Sequence, residues 1–176
     1  MYQCMLSQAL FVKTDVESRR ARNVWGLLLW QATEIWPTGG WGSLEYSSRR
    51  GKPLHHMLAQ HLFTPVMVGI LSQPAGSAAH SAGLTISSSK WLFVRNDLPR
   101  SVAGVARVDA VHLNGSRTTS VVSHPFDSLA PSSLQRFDTT VAMHACPPTS
   151  CVLVSSVIDT ENSTVATNVQ LQVPPY

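Results

Sequence analysis

The sequence is poor in charged residues, and it has no cluster of basic ones. Its 176 residues include 13 basic and 10 acidic side chains, a charged share of 13%, with a formal net charge of +3. Basic residues are spread along the chain, and they cluster only in short pairs such as Arg19-Arg20 and Arg49-Arg50. Phosphate backbones are bound by clustered basic faces, so we expect no nucleic-acid partner.

Long apolar runs are also missing. The longest, around Gly26 to Trp30, is far shorter than the roughly 20 residues that a membrane-spanning helix needs. Residues 1–10 lack the basic start, apolar block and small-residue cleavage site of a signal peptide. We therefore expect no membrane partner. If the protein has a secretion signal, we expect it upstream of Met1.

Cysteines are few. Cys4, Cys146 and Cys151 are the three, too few for a disulfide scaffold. Cys146 and Cys151 bracket Pro-Pro-Thr-Ser, which is typical of a hairpin tip, so a local disulfide is compatible with the sequence and is not fixed by it. His144 adds a third soft ligand there but a fourth is lacking, and His55, His56 and His61 do not have the i, i+4 spacing of helical zinc ligands. No metal or other cofactor is predicted.

The first third of the chain has an α/β pattern. Apolar residues recur every three or four positions from Met1 to Val16, which predicts an amphipathic helix over residues 1–22. Gly26 to Gln31 is an apolar run of the kind found in a strand covered on both faces. A loop rich in glycine and tryptophan follows, and Pro53 opens a second helix to about Leu62. This order indicates a parallel α/β unit.

The remainder has an all-β pattern. Short β-branched segments alternate with clusters of Pro, Gly, Asn and Ser, as in a sandwich of about seven strands. Within Val105–Leu113, Arg107 and Asp109 are expected on one face of a strand, and Ala106, Val108 and Ala110 on the other. The predicted strands are 66–71, 84–94, 102–113, 118–123, 137–145, 152–159 and 164–173. The predicted domains are residues 1–62 and 63–176.

Three stretches after the first helix resemble one family. Trp30-Gln-Ala-Thr-Glu-Ile-Trp-Pro37, Trp41-Gly-Ser-Leu-Glu-Tyr46 and Lys52-Pro-Leu-His55 are similar to the eighth-strand signature of glycoside hydrolase family 2 β-mannosidases. The family's Asn-Asp is replaced by Thr33-Glu34, the tryptophan before Lys-Pro-Leu-His is replaced by Gly51, and the loop from Ser47 to Gly51 looks shortened. Rare residues in a fixed order are more specific than a single short motif.

The resemblance implies an α+β chain. Residues 1–62 would be a partial (β/α) barrel remnant, the terminal part of a TIM-barrel glycosidase domain, and residues 63–176 an immunoglobulin-like sandwich. A complete barrel needs about 250 residues, more than this chain contains.

The resemblance also implies a retaining enzyme that removes terminal β-D-mannosyl residues, with a β-mannoside or other glycan as its partner. Trp30 is the first candidate for the platform beneath the sugar, because an indole offers a large contact area to the apolar face of a pyranose. Trp36 and Trp41 are further candidates, and Glu34 is a candidate acceptor for a sugar hydroxyl. Both catalytic glutamates of the family would precede Met1, so no catalytic residue is predicted here and we expect the chain to be inactive alone.

A second interpretation needs no enzyme. Residues 63–176 would be a non-catalytic β-sandwich, either purely structural or with affinity for carbohydrate through aromatics such as Trp91 and Phe93. The compartment stays open: the sequons at Asn114 and Asn162 favour a lysosomal or extracellular setting only weakly.

Overall fold

The computed structural model describes residues 2–24, 26–37, 40–73, 89–115, 118–139 and 150–170. The chain divides into two compact units between Thr64 and Pro65. The predicted domain boundary lies two residues earlier, and the independence of the two units as domains stays a prediction.

The first unit contains two helices. The predicted N-terminal helix is confirmed as α1, Tyr2–Arg20, and it buries Ala9 and Val16. The second begins at Pro53, as predicted, but only α2, Pro53–Met57, is α-helical, and a π-helical turn follows at Leu58–Leu62. Arg20 joins the ends of these elements, because its guanidinium donates to the carbonyl oxygens of Leu62 (2.6 Å) and Thr64 (2.8 Å).

The predicted strand at 26–31 is wrong. The described residues of this stretch have no strand assignment, and Leu28 is 103% exposed, Leu29 39% and Trp30 80%. An apolar strand of this kind is stable when neighbours pair with it and cover both faces. In the part of the chain that the structure describes, no strand pairs with it, so a barrel remnant is not observed.

The second unit is all β, and its all-β character is confirmed. Seven strands lie in its described part: β1 Val66–Gln73, β2 Ser89–Asn96, β3 Val102–His112, β4 Thr118–Leu129, β5 Ser133–Asp138, β6 Cys151–Ile158 and β7 Thr164–Gln170. They form two antiparallel sheets with the orders β1-β2-β5 and β4-β3-β6-β7. The predicted strand at 118–123 continues to Leu129 through Pro125, which an edge strand such as β4 tolerates.

The core of this unit lies between its two sheets. Val68, Leu92 and Val94 of one sheet belong to the same buried cluster as Val108 and Val157 of the other. On β3 the predicted alternation is confirmed: Ala106, Val108 and Ala110 are buried, whereas Arg107 and Asp109 pair on the other face at 2.7 Å.

One cysteine of the second unit is oxidised. Cys151, buried at the start of β6, is disulfide-bonded, and Cys4 in α1 is a free, exposed thiol. Cys146 and His144 lie outside the described residues, as do parts of the predicted strands 84–94, 137–145 and 164–173.

Candidate functional site

The loop between α1 and α2 is held together by short backbone pairings. Leu44 lies at their centre, with a parallel bridge to Thr33 and an antiparallel bridge to Gly51. The amide of Glu34 donates to the Leu44 carbonyl (2.9 Å), and the Leu44 amide donates to the carbonyl of Ala32 (3.0 Å). Three stretches that are distant in sequence are thereby aligned side by side.

A buried ion pair fixes this loop from the inside. Lys52 Nζ donates to Glu34 Oε1, and the side chains are 7% and 6% exposed. The backbone of Gly40 contacts both partners: its amide donates to Glu34 Oε1 (3.1 Å), and its carbonyl accepts from Lys52 Nζ (3.3 Å). Each charge is thus neutralised and hydrogen-bonded, as a buried charge must be if it is not to destabilise the fold.

The Gly42-Ser43 dipeptide approaches the backbone around Glu34 closely. A methyl group added to Gly42 would lie 2.5 Å from the Glu34 amide nitrogen, so only glycine fits. Ser43 Oγ donates to the Ala32 carbonyl (2.8 Å) and lies 3.4 Å from His55 Nδ1 at the start of α2. Gly42 and Ser43 therefore set the distance between the loop and α2.

A second ion pair lies at the surface of the loop. Arg50 Nη2 donates to Glu45 Oε1 (2.8 Å), and Ser48 Oγ donates to Glu45 Oε2 (3.2 Å). The hydrogen bond from Arg50 lowers the pKa of Glu45 below its usual range, and the Ser48 hydroxyl lowers it further. Glu45 is therefore held as a carboxylate and is a poor proton donor at neutral pH.

The predicted site residues fall into two groups. Trp30, Trp36 and Trp41 are all exposed, at 80%, 67% and 71%, so their indole surfaces are accessible, as a sugar platform requires. Glu34 is instead buried, and its Oε1 is engaged by Lys52 and Gly40. The roles of these four residues toward a sugar stay predictions.

A cavity of about 920 Å³ brings some of these residues together. Helix α1 contributes Cys4, Met5 and Gln8 to its wall, and the loop contributes Glu34, Trp41, Glu45, Tyr46 and Lys52 among others. Trp30 and Trp36 are not among the lining residues. The volume lies within the range of about 300–1,000 Å³ typical of small-molecule sites.

The sequence did not single out Gln8 or Tyr46 as site residues. Gln8 Nε2 donates to the carbonyl oxygen of Trp41 (2.9 Å) across 33 residues of chain. No local spacing indicates that contact, because it depends on how the loop folds back onto α1. Tyr46 belongs to the quoted Trp41–Tyr46 motif, and that motif was the available signal for it.

The described residues contain neither a metal-ligand cluster nor a membrane-spanning helix. Within those ranges no three His, Cys, Asp or Glu side chains are grouped so that they could hold a metal ion. None of the helices described is both long and apolar enough to cross a membrane.

The fold is similar to part of one solved glycosidase structure. The crystal structure of a β-D-mannosidase from Dictyoglomus thermophilum matches 94% of the chain with a TM-score of 0.65 and 18% sequence identity. The chain spans 18% of the length of that enzyme. At this identity the likeness concerns the fold.

Two further structures are more distant. A β-glucosidase involved in saponin metabolism from intestinal bacteria matches 61% of the chain at 12% identity, with a TM-score of 0.31 over 16% of its own length. A structural-genomics target matches 61% of the chain at 7% identity, with a TM-score of 0.33 over 87% of its length. No family model matches the sequence, and no curated protein is significantly similar to it.

Proposed function

We propose that this chain is the C-terminal part of a family 2 glycoside hydrolase that removes terminal β-D-mannosyl residues with retention of configuration. The main support is the fold likeness to a β-D-mannosidase over 94% of the chain. The ordered motifs of residues 30–37, 41–46 and 52–55 point independently to the same family. The two-sheet order of residues 65–170 is compatible with the immunoglobulin-like domain expected after the barrel.

In this proposal Trp30 supplies the platform beneath the terminal mannose. Its indole is 80% exposed and directly follows the apolar stretch from Gly26, which in the whole enzyme would pair as the eighth barrel strand. Barrel active sites lie at the carboxyl ends of the strands, which is where Trp30 would then stand. Trp36 is a secondary contact at this platform, Trp41 contacts the glycan outside it, and Glu34 acts by holding the loop through Lys52.

In this proposal the chain alone does not carry out hydrolysis. Retention requires an acid/base and a nucleophile whose carboxyl groups are about 5–5.5 Å apart. Glu34 and Glu45 are a poor substitute, because Lys52 neutralises the first and Arg50 the second. The catalytic glutamates are therefore expected in polypeptide upstream of Met1, and no cofactor is required for this reaction.

The test compares this chain with its in-frame extension. The chain alone should release no nitrophenol from p-nitrophenyl β-D-mannoside. The product translated from the extended transcript should hydrolyse this substrate with retention. Proton NMR identifies the anomer of mannose that forms first and so reports the stereochemistry. In the extended product W30A should lower kcat/KM by about a hundredfold or more. A stop codon or unrelated sequence directly upstream would contradict the proposal.

The alternative is a non-catalytic β-sandwich. It is favoured by the buried cluster of the second unit, which is composed entirely of residues between Val66 and Val157. Its carbohydrate-binding form has less support than its structural form, because Phe93 is buried and the indole nitrogen of Trp91 is buried as well. The described surface of β2 therefore presents only the partly exposed ring of Trp91 as an aromatic contact.

A further inference from the structure

We propose that the cavity between α1 and the loop is a second carbohydrate subsite, separate from the Trp30 platform, that binds a neutral pyranose through Trp41, Tyr46 and Gln8. The inference that the ligand is a sugar rests on the proposed function. The inference that a ligand binds here rests on the cavity and its lining residues. Of the three residues, only Trp41 was a sequence candidate. Trp30 does not line the cavity, so the two sites can be tested separately.

Two aromatic rings supply the apolar part of this subsite. Trp41 is 71% exposed and Tyr46 48%, and both line the cavity. Large aromatic surfaces are costly to leave in water, and the C–H face of a pyranose covers such a ring well. Aromatic residues also lose little conformational entropy on binding because they have two side-chain torsions.

The polar groups around these rings match sugar hydroxyls. Gln8 lines the cavity and donates from Nε2 to the Trp41 carbonyl, which leaves its Oε1 as an acceptor. The Trp41 indole N–H is a donor and the Tyr46 hydroxyl is both donor and acceptor. Among the described residues, none forms a hydrogen bond with any of these three groups, so a ligand can use them.

The charges of the wall select against an ionic ligand. Lys52 is engaged by Glu34, and Glu45 is engaged by Arg50. The cavity therefore offers no uncommitted cation to a phosphate or a uronate among these residues, and no uncommitted anion to an amine. A neutral sugar has no charge to desolvate, so it is the ligand class that this wall favours.

The Gln8–Trp41 hydrogen bond gives the subsite its geometry. It joins α1 to the loop at the backbone carbonyl of Trp41, so the backbone at Trp41 is held in place before a ligand binds. Preorganisation of this kind lowers the entropic cost of binding. Gln8 is therefore a positioning residue as well as a hydrogen-bond partner.

The test is a titration of the full chain with methyl β-D-mannoside and with β-1,4-mannobiose. Binding is measured from the shifts of the tryptophan indole N–H signals in ¹H–¹⁵N NMR spectra. W41A should weaken binding about tenfold or more, and Y46F by about two- to tenfold. The matched control is F11A, which removes an exposed aromatic ring of α1 that does not line the cavity, and it should leave the affinity unchanged. Circular dichroism of each variant verifies that it is folded.

Three results would overturn the subsite. They are absence of saturable binding of either sugar, unchanged affinity in W41A, and tighter binding of mannose 6-phosphate than of mannose. Loss of binding in W30A with full retention in W41A would also overturn it and would support the Trp30 platform instead. The proposed enzymatic function is tested separately, by the upstream sequence and by hydrolysis in the extended product. Failure of the subsite proposal can therefore be distinguished from failure of the enzymatic proposal.

Discussion

Glu34 and Lys52 form a buried ion pair across 18 residues of the loop, and the backbone of Gly40 hydrogen-bonds to both partners. Removal of one partner leaves an uncompensated charge in a desolvated position, which typically costs about 3–5 kcal/mol. We therefore expect E34Q and K52M each to destabilise the first unit by that amount. The measurement is urea unfolding followed by tryptophan fluorescence, because four of the five tryptophans precede residue 64.

Two controls make this prediction specific. The double variant E34L/K52M removes both charges and should recover most of the stability lost in either single variant. R50Q breaks the exposed Arg50–Glu45 pair and should have a much smaller effect, since exposed pairs are screened by solvent. Equal losses in R50Q and E34Q would contradict the assigned importance of the buried pair.

Gly42 should not tolerate a side chain. In G42A the new methyl group would meet the backbone of Thr33 and Glu34 at 2.7 and 2.5 Å, and backbone atoms cannot rotate away as side chains do. We expect a destabilisation of about 1–3 kcal/mol, as for overpacked cores. The matched control is G26A, where no atom lies within 4 Å of the added carbon. Both variants are compared by thermal melting, and similar melting temperatures for them would refute the close approach.

Glu45 should titrate below the normal range for glutamate. The hydrogen bond from Arg50 lowers its pKa in the folded state, so the contribution of this pair to stability is present above the unfolded pKa of about 4.3. That contribution is lost as pH falls through the lowered folded pKa. Carbon-detected NMR titration of the Glu45 carboxyl should show the low pKa in the native chain, and R50Q should raise it. High salt should weaken the effect.

The sequence was informative where structure is local. Residues 1–22 and the helix start at Pro53 were predicted from periodicity and proline chemistry, and both elements are present. The alternation on β3 was likewise visible, because a strand with one buried face has a period of two. Trp30, Trp36 and Trp41 were singled out as candidate site residues through the family resemblance of residues 30–46, and their roles stay predictions.

The errors lie where a segment depends on neighbours elsewhere in the chain or beyond it. The run from Gly26 to Gln31 has the composition of a buried strand, but burial requires partners, and Leu28 is fully exposed. The Glu34–Lys52 pair and the Gln8–Trp41 hydrogen bond join residues 18 and 33 positions apart. Neither contact has a local spacing signature, so the sequence did not indicate either of them.

Asn96 should be indispensable to the second unit. Its side chain is fully buried, and Nδ2 donates to the carbonyl oxygens of Arg100 (2.8 Å), Leu129 (2.9 Å) and Ala130 (3.1 Å) while Oδ1 accepts from the Leu98 amide (3.0 Å). N96L would leave these groups unpaired, at a cost of roughly 1–3 kcal/mol for each one that remains buried.

The effect of N96L is measured by chemical denaturation, followed by near-ultraviolet circular dichroism of Trp91. The other tryptophans are replaced by phenylalanine in both the parent and the variant, so that Trp91 is the reporter. The control is T160A, at an exposed turn position. An N96L variant as stable as T160A would show that water replaces the lost hydrogen bonds.

The two units should differ in their ability to fold alone. The buried cluster of the second unit contains no residue before Val66, so residues 65–176 should unfold cooperatively as an isolated protein and give dispersed amide signals. Residues 1–64 carry the exposed Leu28, Trp30, Ile35 and Trp36 and should aggregate when produced alone. Light scattering and thermal circular dichroism distinguish the two. A non-cooperative transition for residues 65–176 would show that the sandwich depends on the preceding unit, and would count against the alternative of an autonomous β-sandwich module.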